Sequence, residues 1–171
     1  MIIRIAGPDE DWPAIHRLLT DAFAYMEGRI DPPSSLHRMT AEDLRRSATP
    51  AFIAESGEKI LGCAFAAPKD DALYLGKLAV REDMRGAGLA QRLIAMAEDE
   101  ARRLGLDALE LETRIELTEN HGAFAALGFV KTGETAHPGY DRPTSVTMRK
   151  FCADPAPASP IYANPREARR G

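Results

Sequence analysis

Apolar residues recur at the spacing of buried helix faces in several parts of the chain. This spacing predicts helices over about 8–23, 41–47, 88–104 and 118–127. The first is expected to begin in an acidic stretch, since carboxylates favour helix N-termini. Thr40 and Asp43 resemble a capping box before the second helix. Gly105 fits the position just past the third, and Thr118 is expected to cap the fourth.

Alternating and continuous apolar runs predict strands between these helices. They are expected at 2–5, 51–54, 60–66, 72–80, 109–113, 129–133 and 144–150. The turn 56–59 joins the second strand to the third as a hairpin. The order of elements predicts one α/β domain over 1–151, with a mixed, mostly antiparallel sheet of about seven strands and helices on both faces. Residues 152–171 are rich in proline and alanine and are expected to form a flexible tail.

Composition narrows the classes of function. Apolar residues make up 44% of the chain, which predicts a packed domain rather than disorder. The formal charge of -4 argues against nucleic-acid binding, which needs a basic surface. No apolar run approaches the roughly 18–20 residues that cross a membrane. Only Cys63 and Cys152 are present, so we expect no disulfide framework or metal site and a cytoplasmic location.

The segment with the clearest chemistry is Arg85-Gly86-Ala87-Gly88-Leu89-Ala90, between a strand and a long helix. Small residues let a ligand approach the backbone closely, and a helix start presents unpaired N–H groups. Such a turn suits a phosphate or pyrophosphate, and Arg85 adds a positive charge. A tight strand–helix turn with no ligand is the alternative. The segment lacks the Gly-Lys-Ser/Thr ending of a nucleotide P-loop and the third glycine of a dinucleotide site.

The spacing Arg-x-x-Gly-x-Ala after the strand Leu78-Ala79-Val80 resembles the acetyl-CoA-binding motif of the GNAT superfamily of N-acetyltransferases. A second segment, Asn120 to Phe129, resembles the later helix of that family, which ends in Leu-Gly-Phe. The order of elements over about 2–150 is similar to the same fold. The resemblance implies a single domain that transfers an acetyl group from acetyl-CoA to an amine, without a metal.

The resemblance also implies where the acyl donor binds. The pyrophosphate of CoA would contact the backbone N–H groups of residues 85–90. The pantetheine arm would pair like an extra strand with Leu78 and Val80. Asn120 matches a position that contacts pantetheine in the family, although a polar residue in the first turn of a helix can also serve the helix alone. Phe124 lies on the same helix and is also expected at the cofactor.

Acyl transfer needs an oxyanion donor, a base for the amine and an acid for the thiolate. The N–H of Leu78 is the implied oxyanion donor. Many family members carry a tyrosine where this chain has Phe124, which has no proton to give. The thiolate could leave unassisted, another residue could supply the proton, or the domain could only bind CoA. Glu112 is our candidate for a base acting through water. Tyr140 is a catalytic candidate whose alternative is a surface turn residue.

The acceptor site is expected in the loop after the first helix, because such loops carry specificity. Tyr74 is a further candidate for this site, and strand alternation predicts that it shares a face with Gly76 and Leu78. We expect an N-acetyltransferase acting on a primary amine of a small molecule, an amino acid or a peptide. A non-catalytic acyl-CoA-binding or regulatory domain is one alternative, and a structural or interaction protein that keeps only the fold, with the tail as contact element, is another. The acceptor, the preferred acyl chain and the oligomeric state stay open, a homodimer being one option. The polar and aromatic candidates on the loop are Tyr25, Glu27, Arg29, Asp31 and His37.

Overall fold

The computed structural model describes residues 1–152, which form a seven-stranded sheet flanked by four α-helices. The strand order is β1-β2-β3-β4-β5-β7-β6, and every neighbouring pair is antiparallel except β4 and β5. The strands are β1 (Ile2–Ile5), β2 (Ala51–Ser56), β3 (Lys59–Lys69), β4 (Ala72–Val80), β5 (Ala108–Arg114), β6 (Val130–Thr135) and β7 (Ser145–Phe151). The helices are α1 (Trp12–Phe23), α2 (Ala41–Ser47), α3 (Leu89–Arg103) and α4 (Thr118–Ala126). The expected fold class and element order are therefore confirmed.

The two faces of the sheet form separate apolar cores, because alternate strand residues point to opposite sides. In β2, Phe52 and Ala54 pack on the core under α3, whereas Ala51 and Ile53 pack on the core under α1 and α2. The short helix α4 adds Phe124 to the α3 side. Continuous apolar strands such as β2 are thus explained by burial on both faces.

Two helix starts differ from the sequence-based expectation. The first helix begins at Trp12 rather than in 8–11, because the side chain of Asp11 caps it by accepting the N–H of Ala14. Thr118 lies inside α4 and does not cap it; Leu117 holds the cap position without a side-chain hydrogen bond. The capping box at Thr40 and Asp43 is present as expected. Apart from Cys152, the expected tail 152–171 lies outside the described residues.

A β-bulge in β4 reverses the side-chain alternation halfway along the strand. Phe65 pairs with Gly76 and Cys63 with Ala79, so β4 carries one residue more than β3 across this interval. Lys77 absorbs the extra residue in the left-handed region, with φ 51°. Because of this insertion, Leu78 packs on the α3 side together with Leu73 and Leu75. The expectation that Tyr74 and Leu78 share a face is wrong.

The parallel pair β4–β5 separates beyond its midpoint and opens the sheet. Pairing runs from Ala72 opposite Ala108 to Leu75 opposite Leu111 and stops there. Residues 76–80 continue to pair with β3 only, while β5 stays paired with β7 as far as Arg114. The bulge and the separation coincide, so the second half of β4 presents a free edge inside the molecule.

Candidate active site

The opening between β4 and β5 contains two adjoining cavities. The first, the β4–α4 cleft, has a volume of about 520 Å³ and the second, the β4–β5 cavity, of about 420 Å³. The cleft runs from the second half of β4 to the start of α3 and one face of α4. The cavity lies between the separated strands, under the loop 24–39. Five residues line both spaces and form the junction between them: Phe23, Tyr25, Leu78, Asn120 and Phe124.

At the outer end of the cleft, the loop 85–90 offers backbone donors to an anion. Gly86 and Gly88 adopt φ of 82° and 77°, which is unfavourable for residues with a side chain. The start of α3 has no side-chain cap, and its first turn contains no acidic residue, whereas α2 and α4 each carry acids there. Within the described chain, the first N–H groups of α3 are therefore left for an outside acceptor.

The expected cofactor residues fall into three groups: some line the cleft, some lie exposed beside it, and the side chain of one is buried. Leu78, Val80, Arg85 and Ala90 line it, together with Asn120 and Phe124 at the junction. Gly86, Ala87 and Gly88 are exposed beside its mouth and do not line it. The side chain of Leu89 is buried in the core, so only its backbone N–H can face a ligand.

The junction is built around one hydrogen bond between two distant segments. The side-chain amide of Asn120 donates to the Tyr25 hydroxyl at 2.9 Å, which joins α4 to the short 3-10 helix Ala24–Met26. The guanidinium of Arg29 lies over the Tyr25 ring, 5.9 Å from its centroid. Phe124 lies one turn after Asn120 on α4 and packs edge-on against Phe129 at 5.8 Å. Phe124 therefore fills a place in the core while its outer edge faces the junction.

The floor of the β4–β5 cavity carries a phenol beside a carboxylate. Tyr74 and Glu112 both line it, and Glu112 is the first residue of β5 beyond the point where β4 leaves. Burial, followed by the charges of Glu112 and Glu110, raises the pKa of Tyr74 to about 12. Tyr74 is therefore a neutral hydrogen-bond donor at physiological pH. Glu110 does not line the cavity and is paired with Arg149 at 3.1 Å.

Two polar residues of the cavity wall were not expected from the sequence. Arg114 ends β5, and its Nη1 donates to the Pro32 carbonyl at 2.7 Å. His137 precedes β7, and burial followed by the charge of Arg114 lowers its pKa, so its imidazole is neutral near pH 7. The Thr144 hydroxyl pairs with Nδ1 of His137 at 2.5 Å, so Nε2 is the ring nitrogen that this contact leaves unused. The sequence signal available, a histidine in an Ala-His-Pro-Gly turn, is no different from that of a surface residue.

The loop 24–39 is fixed over the cavity by polar contacts at both sides. Arg29 binds both carboxylate oxygens of Glu119 at 2.8 Å. Asp31 accepts the Tyr140 hydroxyl at 2.6 Å and Arg142 at 3.1 Å. Tyr140 is thus placed on the outside of the loop and is not among the residues that line the cleft or the cavity. Its bond to Asp31 raises its pKa, which keeps the hydroxyl protonated.

The remaining loop candidates lie behind this site. A third cavity, of about 520 Å³, separates α1 from the loop, and Glu27 and His37 line it without lining the other two. Their side chains are 4.0 Å apart and largely exposed. Neither residue is among the five that form the junction. Arg29 likewise serves Tyr25 and Glu119 rather than lining the β4–β5 cavity.

Neither a metal-binding cluster nor a membrane-spanning helix is found among the described residues. Over residues 1–152 there is no group of three or more His, Cys, Asp or Glu side chains that could hold a metal ion. None of the four helices in that range is both long and apolar enough to cross a membrane.

Comparison with known proteins agrees with this architecture. A protein-family model described as "Acetyltransferase (GNAT) family" matches residues 12–129. An IAA acetyltransferase of Azospirillum brasilense is 28% identical over 139 residues, which cover 80% of this chain and 90% of that protein. The crystal structure of an aminoglycoside 6'-acetyltransferase type Ii superposes with a TM-score of 0.70 at 21% identity, over 91% of this chain and all of that one.

An aminoglycoside 6'-N-acetyltransferase complexed with coenzyme A superposes with a TM-score of 0.69 at 19% identity, over 91% of this chain and 99% of that one. At such identities the structures establish the shared fold, and the family model establishes the relationship. The chain belongs to the GNAT family of acetyltransferases, enzymes that use acetyl-CoA as acyl donor.

Proposed function

We propose that the protein transfers the acetyl group of acetyl-CoA directly to a primary amine of a small molecule, an amino acid or a peptide. The observation that carries this proposal is the meeting of two cavities at one junction. A donor that enters through the β4–α4 cleft and an amine that enters through the β4–β5 cavity would reach the same five residues. Holding both reactants at one point lowers the barrier to a bimolecular reaction.

The β4–α4 cleft has the features that acetyl-CoA requires. The pyrophosphate would bind N–H groups within residues 85–90, those of Gly86, Gly88, Leu89 and Ala90, because the N–H groups of Arg85 and Ala87 donate to Glu82 and Met84. The side chain of Arg85 would contribute charge. The amide groups of the pantetheine arm would pair with Leu78 and Val80, on the edge of β4 that has no partner strand. Asn120 and Phe124 would contact the arm from the side of α4.

The β4–β5 cavity supplies groups for the reaction itself. The N–H of Leu78, at the bulge, would donate to the oxyanion that develops on the thioester carbonyl. Glu112 would take the proton of the attacking amine through a water molecule, with Tyr74 as a neutral donor beside it. The neutral imidazole of His137 in the same wall is a second base.

The acceptor we favour is small and carries an ammonium group. A cavity of about 420 Å³ under a fixed loop accommodates a metabolite or the end of a peptide. Glu112 offers a negative charge for the ammonium before it loses its proton. Arg114 offers a positive charge on the same strand, which suits an acceptor that also carries a carboxylate. The two relatives named above differ in acceptor, so the cavity of this chain is the guide to its own acceptor.

Tyr140 has a supporting role in this account, since its hydroxyl is held by Asp31 outside the cavity. Tyr25 would border the acceptor at the junction, and Arg29 and Glu27 would shape the loop around it. We also propose a cytoplasmic location, supported by the free thiols of Cys63 and Cys152.

The test is an acetyl-transfer assay on the purified protein. Release of CoA thiol is followed with acetyl-CoA and a panel of amines, amino acids and short peptides, and mass spectrometry identifies the acetylated product. We expect amine-dependent release, with zwitterionic acceptors preferred. Binding of acetyl-CoA is measured separately by calorimetry. Saturable binding without thiol release, with any amine or with water, would favour the binding-only alternative, and no binding would contradict the cleft assignment.

A further inference from the structure

Phe124 leaves the departing thiolate without the proton donor that the family resemblance implies for that position. The structure shows which group can replace it. Of the five residues that line both cavities, Phe23, Leu78 and Phe124 have apolar side chains. Asn120 carries an amide, which does not give up a proton. Tyr25 is the one member of the junction whose side chain carries an ionisable proton.

We propose that the Tyr25 hydroxyl is the general acid that protonates the CoA thiolate, in place of a tyrosine at position 124. The inference rests on the proposed function, because it assigns a role within acetyl transfer. The thioester must be reachable from the cleft, where the donor enters, and from the cavity, where the amine enters. Its position is therefore the junction, and Tyr25 is part of the junction wall.

Asn120 orients the proton of Tyr25. The amide donates to the phenol oxygen at 2.9 Å, so that oxygen acts as an acceptor towards α4. The O–H hydrogen is then directed elsewhere, and no other described residue accepts it. Asn120 and Phe124 lie four positions apart, on one face of α4. The hydroxyl of Tyr25 is thereby brought to the same face of α4 as the side chain of Phe124.

The surroundings of Tyr25 suit the charge that proton transfer would create. The Arg29 guanidinium lies over the ring, and Arg29 is itself held by two bonds to Glu119. A phenolate formed at Tyr25 would be stabilised by that positive charge and by the amide hydrogen of Asn120. Both partners are therefore positioning residues for Tyr25.

The step balances in atoms and electrons. The amine nitrogen forms a bond to the thioester carbonyl carbon, and the tetrahedral adduct carries the negative charge on oxygen. When the adduct collapses, the C–S bond breaks and its electron pair goes to sulfur. The proton of Tyr25 moves to sulfur and gives the CoA thiol, while the base takes the proton of the amine nitrogen. Solvent returns that proton to the phenolate, and an amide and a thiol are the products.

The experiment is a double-mutant cycle between Tyr25→Phe and Phe124→Tyr. Acetyl-CoA is the donor, thiol release is the readout, and each variant is also measured for acetyl-CoA affinity by calorimetry and for melting temperature. Release is recorded with the best amine of the panel and with water as the acceptor, since both reactions expel the same thiolate. Tyr25→Phe is expected to lower kcat by about 10²-fold, the lower end of acid–base contributions, with unchanged donor affinity.

Adding Phe124→Tyr to Tyr25→Phe is expected to restore kcat by tenfold or more. Phe124→Tyr in the wild-type background should raise kcat by a much smaller factor, because Tyr25 already supplies the proton there. Asn120→Asp should also lower kcat, since a carboxylate at position 120 would accept a hydrogen bond from the Tyr25 hydroxyl and turn its proton away from the sulfur.

Three results would overturn the inference. One is equal kcat for wild type and Tyr25→Phe in folded proteins with equal donor affinity. Another is a gain from Phe124→Tyr of the same factor in both backgrounds. The third is a wild type that binds acetyl-CoA and releases no thiol to any amine or to water. That third result would remove the proposed function as well, so the two failures can be told apart.

Discussion

Replacing Ala90 by aspartate places a carboxylate in the first turn of α3, beside the N–H groups assigned to the CoA pyrophosphate. Ala90 lines the β4–α4 cleft and is partly exposed, so the new side chain fits without disturbing the core. An acid in the first turn of a helix is itself favourable by about 0.3–1 kcal/mol, and α3 has none there. The substitution should therefore leave the melting temperature unchanged or raise it slightly while weakening donor binding.

The expected loss follows from Coulomb's law. Two phosphate charges at roughly 6 Å from the carboxylate each cost about 0.7 kcal/mol in water, and about twice that where the protein lowers the effective dielectric constant. The total of about 1.4–3 kcal/mol corresponds to a roughly tenfold to hundredfold rise in the Kd for acetyl-CoA. Because the contact is screened by ions, the loss should shrink as salt rises from 0.05 to about 0.5 M.

Calorimetric titration of acetyl-CoA into wild type, Ala90→Asp and Ala90→Asn measures the effect directly. The asparagine variant has nearly the same shape without the charge, so it separates repulsion from steric hindrance. The reasoning is refuted if both variants lose affinity equally. It is also refuted if Ala90→Asp binds acetyl-CoA as tightly as wild type at low salt.

Further substitutions test other parts of the site. Glu112→Gln should lower kcat/KM by about 10²-fold at neutral pH. It should also lower the pKa of Tyr74, because one of the negative charges that raise it is removed; ultraviolet difference titration would show an unchanged pKa if the two groups do not interact. Asp31→Asn should raise the acceptor KM roughly two- to fivefold, because the free energy lost is that of one exposed ionic contact. It should also speed proteolysis in the loop 24–39, and equal proteolysis rates in the variant and the wild type would contradict the anchoring role of Asp31. Burial raises the pKa of Cys63 to about 12, so its thiol should react with a disulfide reagent at pH 8 only on unfolding, and rapid labelling of Cys63 in a native Cys152→Ser variant would contradict that burial.

Much of the fold could be predicted because its determinants are local. Hydrophobic spacing, the capping box at Thr40 and the glycine after α3 each act within a few residues, and the structure has them where expected. The β4 bulge could not be predicted in the same way. Lys77 is not a residue that favours positive φ, and its conformation is imposed by the pairing of β3 with both halves of β4.

The candidate site also has one part that local sequence predicts and another that depends on long-range contacts. The loop 85–90 carries its chemistry in consecutive residues, so the sequence alone indicated a phosphate-binding turn. The contact between Tyr25 and Asn120 joins positions 95 residues apart and has no local signal. His137 and Arg114 were missed for the same reason, since only the folded sheet brings the end of β5 and the loop before β7 to one wall.

The most direct test of the account is a crystal structure of the protein with CoA, read for the position of the ligand's sulfur atom. We expect the pyrophosphate on the N–H groups of residues 85–90, the pantetheine arm along Leu78 and Val80, and the sulfur within hydrogen-bonding distance of the Tyr25 hydroxyl. A sulfur atom at the junction but turned away from Tyr25 would contradict the assignment of the acid. CoA bound outside the β4–α4 cleft would contradict the account as a whole.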